Sequence, residues 1–524
     1  MEQEAAPSGE VGHGEMTEQH PNRPAATARQ VDAAYEAHFS DAGLTYCSAD
    51  LAGKFLADVT ARLSAHSADS VNRNFGPLLQ GSAGPEAARM ALRELAVLVN
   101  ETGQAELFAE HDGRVIDAVF SDFVADVNEK RAGRGVVFVV HAPYFVILRE
   151  AMYLRRNGYR VYLLSLGEVA AGLRELFRQH FDLVVDARGN YRLLRAILAR
   201  LEPDIFHVQC WMWFGILGRM AMEAKKNAAV VCEFYDITSV YAAKEDLSPT
   251  WPPGVVEFEF AMERHIAHRA DAVISRFPDW LVEEWGRNMG ALPKYISMQA
   301  WPCAEFISYG KKKLSAADGV IRLVYAGGLV PENERNPAKL FPETNMDKAF
   351  QALLGQGMAI DVMHDPNAAK GIDDAFYGRY NRLAAEYPLF RFREGVSPDK
   401  LSDVLNGYDY GILLTEFDED VVRISANQRK GAMATKIFAY LEAGLPVLVN
   451  AEYGEMARLV NEHGLGLAVH SRDLGNAAKI LSKFDYRKAV ANIKKFNESH
   501  SMESEIDRLI ELYDAVISGH GEIK

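Results

Sequence analysis

Along residues 31–130 apolar positions recur at spacings of three and four. The clearest stretch pairs Val115/Ile116, Val119/Phe120 and Phe123/Val124 with Val127, one apolar stripe on a helix. Strand-like alternation is scarce there. The pattern predicts a helical accessory domain over 31–130, preceded over 1–30 by a flexible tail rich in Gly, Pro, Glu and Ala. After Arg134–Gly135 the texture changes. GVVFVVH is a branched apolar run ending at His141, and VILREAMYLRRNG then has helical spacing up to a glycine stop at Gly158. The runs YRVYLLSL, FDLVVDA, DIFHVQC, AAVVCEF and DAVIS follow, separated by helical stretches. Continuous Val/Ile/Leu runs, rather than alternation, are what a parallel sheet covered on both faces requires. This predicts one α/β domain over 133–300.

A connection over 301–319 (WPCAEFISYGKKKLSAADG) leads to a second series, over 320–475. Its predicted strands are IRLVYAGG, MAIDVMH, LFRFREG, YDYGILL and LPVLVN, again with helices between them. Residues 476–524 read as helices that pack back on the first lobe. The expected fold class is therefore α/β, two Rossmann-like domains in series with helical ends.

Composition narrows the function classes. The chain has 524 residues, 57 Lys and Arg against 72 Asp and Glu, and a net charge of -15. That balance argues against broad nucleic-acid binding. Residues 1–130 contain 21 acidic and 9 basic side chains, so the charge sits mostly outside the α/β region. Cys47, Cys210, Cys232 and Cys303 are scattered without a CxxC pair, which offers neither a zinc knuckle nor a disulfide framework. His265 and His268 are not in an HExxH arrangement, and no metal is expected. The opening MEQEAAPSGEVGHGEM lacks the apolar core of a secretory signal, and no apolar run reaches a membrane-spanning length. The expectation is a cytoplasmic protein, with peripheral membrane association or a protein partner as roles open to the N-terminal helices.

In open parallel sheets ligands collect beyond the carboxyl ends of the strands. His141, Tyr144, His207, Glu233, Asp236 and the pair Gly327/Gly328 all follow predicted strands. The glycines would let the backbone approach a phosphate and present N–H groups. There is no GxGxxG fingerprint leading into a helix and no GxxxxGK[ST] loop, which disfavours dinucleotide oxidoreductases and P-loop ATPases. A second anion site is predicted where the helix containing Thr435 and Lys436 begins, with Arg423, Arg429 and Lys430 on the loop before it.

These features resemble the donor-binding half of a GT-B fold glycosyltransferase, most like the retaining family 4 group. The segment TKIFAYLEAGLPVLVN matches that family's pattern at Lys436, Tyr440, Gly444, Pro446 and Val447. WPCAEF at 301–306 resembles its interdomain turn. The likeness extends with falling strength over about 133–480. It implies a nucleotide-diphosphate sugar as donor substrate, no separate cofactor, and a glycan, lipid-linked glycan or protein as acceptor. The two glutamates of the family's donor motif fall on Gly431 and Ala439, so neither position supplies a carboxylate. Glu442, one helical turn beyond Ala439, is the nearest substitute for ribose binding. Arg335 is the nearest substitute for the basic residue of the phosphate loop, whose family position is Gly328.

The expected donor set is thus Gly327, Gly328, Arg335, Arg423, Lys430, Lys436 and Glu442. For an inverting reaction Glu233 or Asp236 would act as base, and His141 and His207 would orient sugar hydroxyls. Tyr144, Trp211 and Trp213 offer a stacking wall. Two other readings stay open: a nucleotide-sugar epimerase or hydrolase of the same fold, and a noncatalytic binding or assembly subunit.

Overall fold

In the computed structural model the described residues are 109–129, 133–169, 171–251, 253–329, 337–364, 374–418 and 420–521. The expected tail, most of the accessory helices and Arg335 lie outside them.

Two parallel sheets organise the chain. The first contains β1 (Gly135–Val140), β2 (Arg160–Ser165), β3 (Leu183–Asp186), β4 (Ile205–Gln209), β5 (Ala229–Phe234), β6 (Ala272–Ser275) and β7 (Lys294–Ser297), in the order β3-β2-β1-β4-β5-β6-β7. The second contains β8 (Arg322–Ala326), β9 (Ala359–His364), β10 (Phe390–Glu394), β11 (Tyr410–Leu413), β12 (Val447–Asn450) and β13 (Gly466–Val469), in the order β10-β9-β8-β11-β12-β13. Among the described residues every pairing between strands is parallel, as the unbroken apolar runs require. Central strands such as β1 and β5 are buried at every position, and helices cover both faces. Two strands that sequence reasoning missed, β7 and β13, are short edge strands; β7 is only half-buried, so no apolar run marks it.

The stripe at 115–127 is buried. Val115, Ile116, Val119, Phe120, Phe123 and Val127 join one face of the first sheet in a single core, and the Tyr162 hydroxyl donates to Asp126 Oδ1 at 2.8 Å. The other face packs on Ile147, Leu148 and Ala151 of the helix Phe145–Arg156. It also packs on the last helix, Met502–Gly521, through Met502, Ile506, Leu509, Leu512, Tyr513 and Val516. The preceding helix, Tyr486–Ser499, contributes Ile493 and Phe496 to the core of the second lobe instead. The chain end therefore spans both lobes. Among the described residues no helix is long and apolar enough to cross a membrane.

Candidate active site between the lobes

In each sheet the strand order reverses once, at β1/β4 and at β8/β11, and the loops beyond those strands flank a crevice. A cavity of about 220 Å³ lies between the lobes. Pro143, Tyr144 and Arg149 line it from the first lobe, and Gly327, Gly328, Lys436 and Ala439 from the second. Its walls are mostly apolar with a few polar groups, the usual make-up of a small-molecule site.

The glycine turn and Lys436 come together here. Gly327 adopts φ 145°, a left-handed value that suits glycine, and a Cβ at this position would collide with Cε of Lys436. The Gly327 N–H donates to the Met363 carbonyl at 2.9 Å, so the sheet ladder uses it. This corrects one expectation: Gly327 supplies space and backbone angle, and Gly328 is left as the turn's amide donor. Lys436 lies with its ammonium 5.7 Å from the Tyr325 ring centroid. Tyr325, with Tyr144 and Glu343 behind it, raises the Lys436 pKa against the effect of burial. Its helix, Lys436–Glu442, has only seven residues, and the Thr435 hydroxyl before it meets the Tyr144 hydroxyl at 3.0 Å. The side chain of Lys436 thus places a cation in the cavity wall beside the glycine turn.

Glu343 stands near this cation, and Asp236 stands near Glu343. Asp236, just beyond β5, accepts a long hydrogen bond from Gln428 Nε2 at 3.4 Å, and burial pushes its pKa up. Glu343 is pushed up to about 7, mainly by burial, with Asp236 adding to the rise and Lys436 opposing it. A carboxyl that exchanges its proton near neutrality is suited to general acid–base work. Glu343 was not legible as a site residue, because its loop between β8 and β9 has no motif and its neighbours come from other elements.

Glu442 also lines the cavity, whereas His141, His207, Glu233, Arg423 and Lys430 lie outside its wall. Glu442 is buried and points at the first lobe: Arg149 Nη2 donates to its Oε2 at 2.7 Å, and the Cys303 N–H donates to its Oε1 at 2.8 Å. Each oxygen accepts one of these bonds, so this side chain pins the lobes from within the cavity wall. Burial nonetheless pushes its pKa up to about 7. Arg149 also donates to the Ala300 carbonyl at 2.9 Å. The Gly431 position leaves no room for a longer side chain, since a Cβ there would lie 2.5 Å from Leu281 Cδ2. Arg423 and Lys430 are exposed and absent from the cavity wall.

Glu233 and His207 do not face the cleft. His207 lies within β4, fully buried, its Nδ1 2.6 Å from the Tyr513 hydroxyl and its ring stacked on Phe138. Burial lowers its pKa to about 4. Glu233, also fully buried, is ion-paired with Arg276. Both residues point to the sheet face that the last helix covers, which excludes contact with a sugar in the crevice. His141 stands at the end of β1, outside the cavity wall, with its ring stacked on Phe214 at 3.7 Å. Of the aromatic residues, Tyr144 lines the cavity, Trp211 lies tilted against it at 6.0 Å, and Trp213 packs on Trp251 at 4.6 Å.

Residues 364–503 match the family model described as Glucosyltransferase 3-like, C-terminal domain. No curated protein matches the chain. Among solved structures the chain is similar to a sucrose-phosphate synthase from Thermosynechococcus elongatus, with 13% identity and a TM-score of 0.52. That alignment covers 74% of this chain and 100% of the other. An O-GlcNAc transferase from Thermobaculum terrenum is 13% identical with a TM-score of 0.46, covering 95% of this chain and 99% of its own. A UDP-GlcNAc 2-epimerase from Neisseria meningitidis is 11% identical with a TM-score of 0.40, covering 72% and 99%. The two facing Rossmann-like sheets and the first of these likenesses show that the chain has the GT-B fold.

Proposed function

We propose that the protein is a glycosyltransferase that moves a sugar from a nucleotide-diphosphate sugar to a hydroxyl of a glycan, lipid-linked glycan or protein, and that it is most like the retaining family 4 group. One observation carries this reading: a protonated lysine, Lys436, packs on a glycine turn inside a cleft between two α/β lobes. A departing diphosphate needs fixed positive charge and N–H donors in a site that excludes water, and Lys436 with Gly328 meets that need without a metal. The donor's diphosphate lies against these two groups, and the acceptor enters beside Tyr144 and Asp236. In a retaining transfer the donor phosphate itself does most of the proton work. In an inverting one Asp236 or Glu343 takes the acceptor's proton.

The test is a donor screen that follows nucleotide release and sugar transfer to a cell extract. Release that depends on acceptor supports the transferase; sugar conversion without acceptor supports an epimerase or hydrolase and overturns it. Ala439 favours a second reading, a noncatalytic assembly subunit, because it stands in the cavity wall where the resembled family has a glutamate. Partner capture with no turnover for any donor would establish that reading. Asp236→Asn is expected to lower turnover on the order of 100-fold with little change in donor affinity, if Asp236 is the base. Normal turnover at saturating substrates returns Asp236 to a structural role.

Glu343 gives the site a pH dependence of defined sign. As pH rises through about 7, Glu343 loses its proton and places a negative charge near Lys436. Nucleoside diphosphate affinity is therefore expected to fall between about pH 6 and pH 8 by a factor on the order of 3 to 10. Glu343→Gln should flatten that profile in calorimetry. The same slope in the variant would assign the effect to another group.

A further inference from the structure

Behind the first sheet, away from the cleft, Glu150, His207, Glu233, Arg276 and Tyr513 form a polar cluster inside an apolar core. All five are at most 2% exposed. They come from one helix, two strands, the residue just beyond β6 and the last helix, so the fold assembles the cluster only when the chain end docks.

The hydrogen bonds divide it into two sides. On the outer side Arg276 pairs with Oε1 of Glu150 at 2.8 Å and with Oε1 of Glu233, while Tyr513 meets Nδ1 of His207 at 2.6 Å. On the inner side Oε2 of Glu150, Oε2 of Glu233 and Nε2 of His207 have no hydrogen-bond partner among the described residues. These three atoms face one another: His207 Nε2 is 3.3 Å from Glu233 Oε2 and 3.9 Å from Glu150 Oε2, and all three fall within 4.8 Å of each other. Buried polar atoms are nearly always satisfied, so three orphans converging on one point call for an occupant. Two carboxylates against one guanidinium also leave a negative charge that an occupant must offset.

We propose that Glu150, His207 and Glu233 bind a first-row divalent cation of the zinc class as a structural site that fastens the C-terminal helix to the first lobe. A tetrahedral zinc with ligands at about 2.0–2.1 Å holds those ligands about 3.3 Å apart, close to the His207–Glu233 spacing and slightly tighter than the His207–Glu150 one. One imidazole nitrogen and two carboxylate oxygens leave a fourth position for a water. Arg276 and Tyr513 then act from the second shell: Arg276 orients the glutamates through their outer oxygens, and Tyr513 accepts the Nδ1 proton, which directs the Nε2 lone pair at the metal. The site is closed to solvent, so the ion enters during folding.

The experiment is elemental analysis of the purified full-length protein after exhaustive dialysis, with folding checked by circular dichroism. About one equivalent of a first-row dication per chain is expected. His207→Asn and Glu233→Gln should lower it at least tenfold. Because those variants alter a core, Tyr513→Phe keeps the packing and serves as the second test, with an expected loss of metal affinity on the order of 10-fold. Refolding the natural chain with zinc, rather than with chelator, should raise Tm. Less than a tenth of an equivalent in the folded natural chain, with no Tm gain from zinc or manganese, would overturn the proposal. Metal retained in folded His207→Asn would overturn it as well.

Discussion

Replacing Lys436 with alanine is expected to weaken nucleoside diphosphate binding by roughly 10- to 100-fold, the worth of one or two charge-assisted hydrogen bonds in a site shielded from water. The loss is specific for a reason of position. Lys436 packs on the glycine turn, Tyr325 supports its charge, and its stem fills the space that a side chain at residue 327 would need. Truncation removes the cation without removing a structural ion pair, since among the described residues no salt bridge uses Lys436. Stability should therefore change little while donor affinity falls, and acceptor affinity should stay near its original value. Isothermal calorimetry with a nucleoside diphosphate, beside a urea unfolding curve, separates the two. Unchanged donor affinity removes Lys436 from the site.

The second large effect concerns Arg149. This side chain is buried between the lobes and bridges Glu442 of the second to the Ala300 carbonyl at the end of the first. Arg149→Ala leaves Glu442 buried without its cation, and breaking a buried pair from one side costs about 3–5 kcal/mol. Against a total of about 5–15 kcal/mol that loss opens the lobe interface or unfolds the protein. Glu442 can lower the cost by taking a proton, because burial already raises its pKa to about 7. The variant's defect should consequently be milder at low pH and grow as pH rises through 7. Removing both partners together, as Arg149→Met with Glu442→Leu, should recover most of the stability. Urea midpoints at pH 6 and pH 8 give the comparison. Equal midpoints for Arg149→Ala and the natural chain would show that the pair contributes nothing.

Most of the sheet strands were legible because buried parallel strands leave continuous apolar runs, as in GVVFVV and AVVCEF. The edge strands β7 and β13 were not, since one exposed side relaxes the need for such a run. At the site, Lys436 and the Gly327/Gly328 turn were readable from their positions after strands and from the family likeness. Glu233 and His207 were misread for a geometric reason. A residue at or near the end of a strand can point to either face, and the face these two occupy is decided by a helix some 280 to 306 positions further along, through Tyr513. Glu442 does stand in the cavity wall, but its pairing with Arg149, 293 residues away, leaves no local signal. Glu343 had no local signal at all; its raised pKa follows from burial and from Asp236, which belongs to the other lobe.

The most direct measurement is a crystal structure of the protein with a nucleoside diphosphate or an unreactive nucleotide-sugar analogue bound. The diphosphate is expected between the lobes, within hydrogen-bond reach of the Lys436 ammonium and the Gly328 N–H. A diphosphate bound outside this cleft, or within it but with Lys436 turned away, would contradict this expectation.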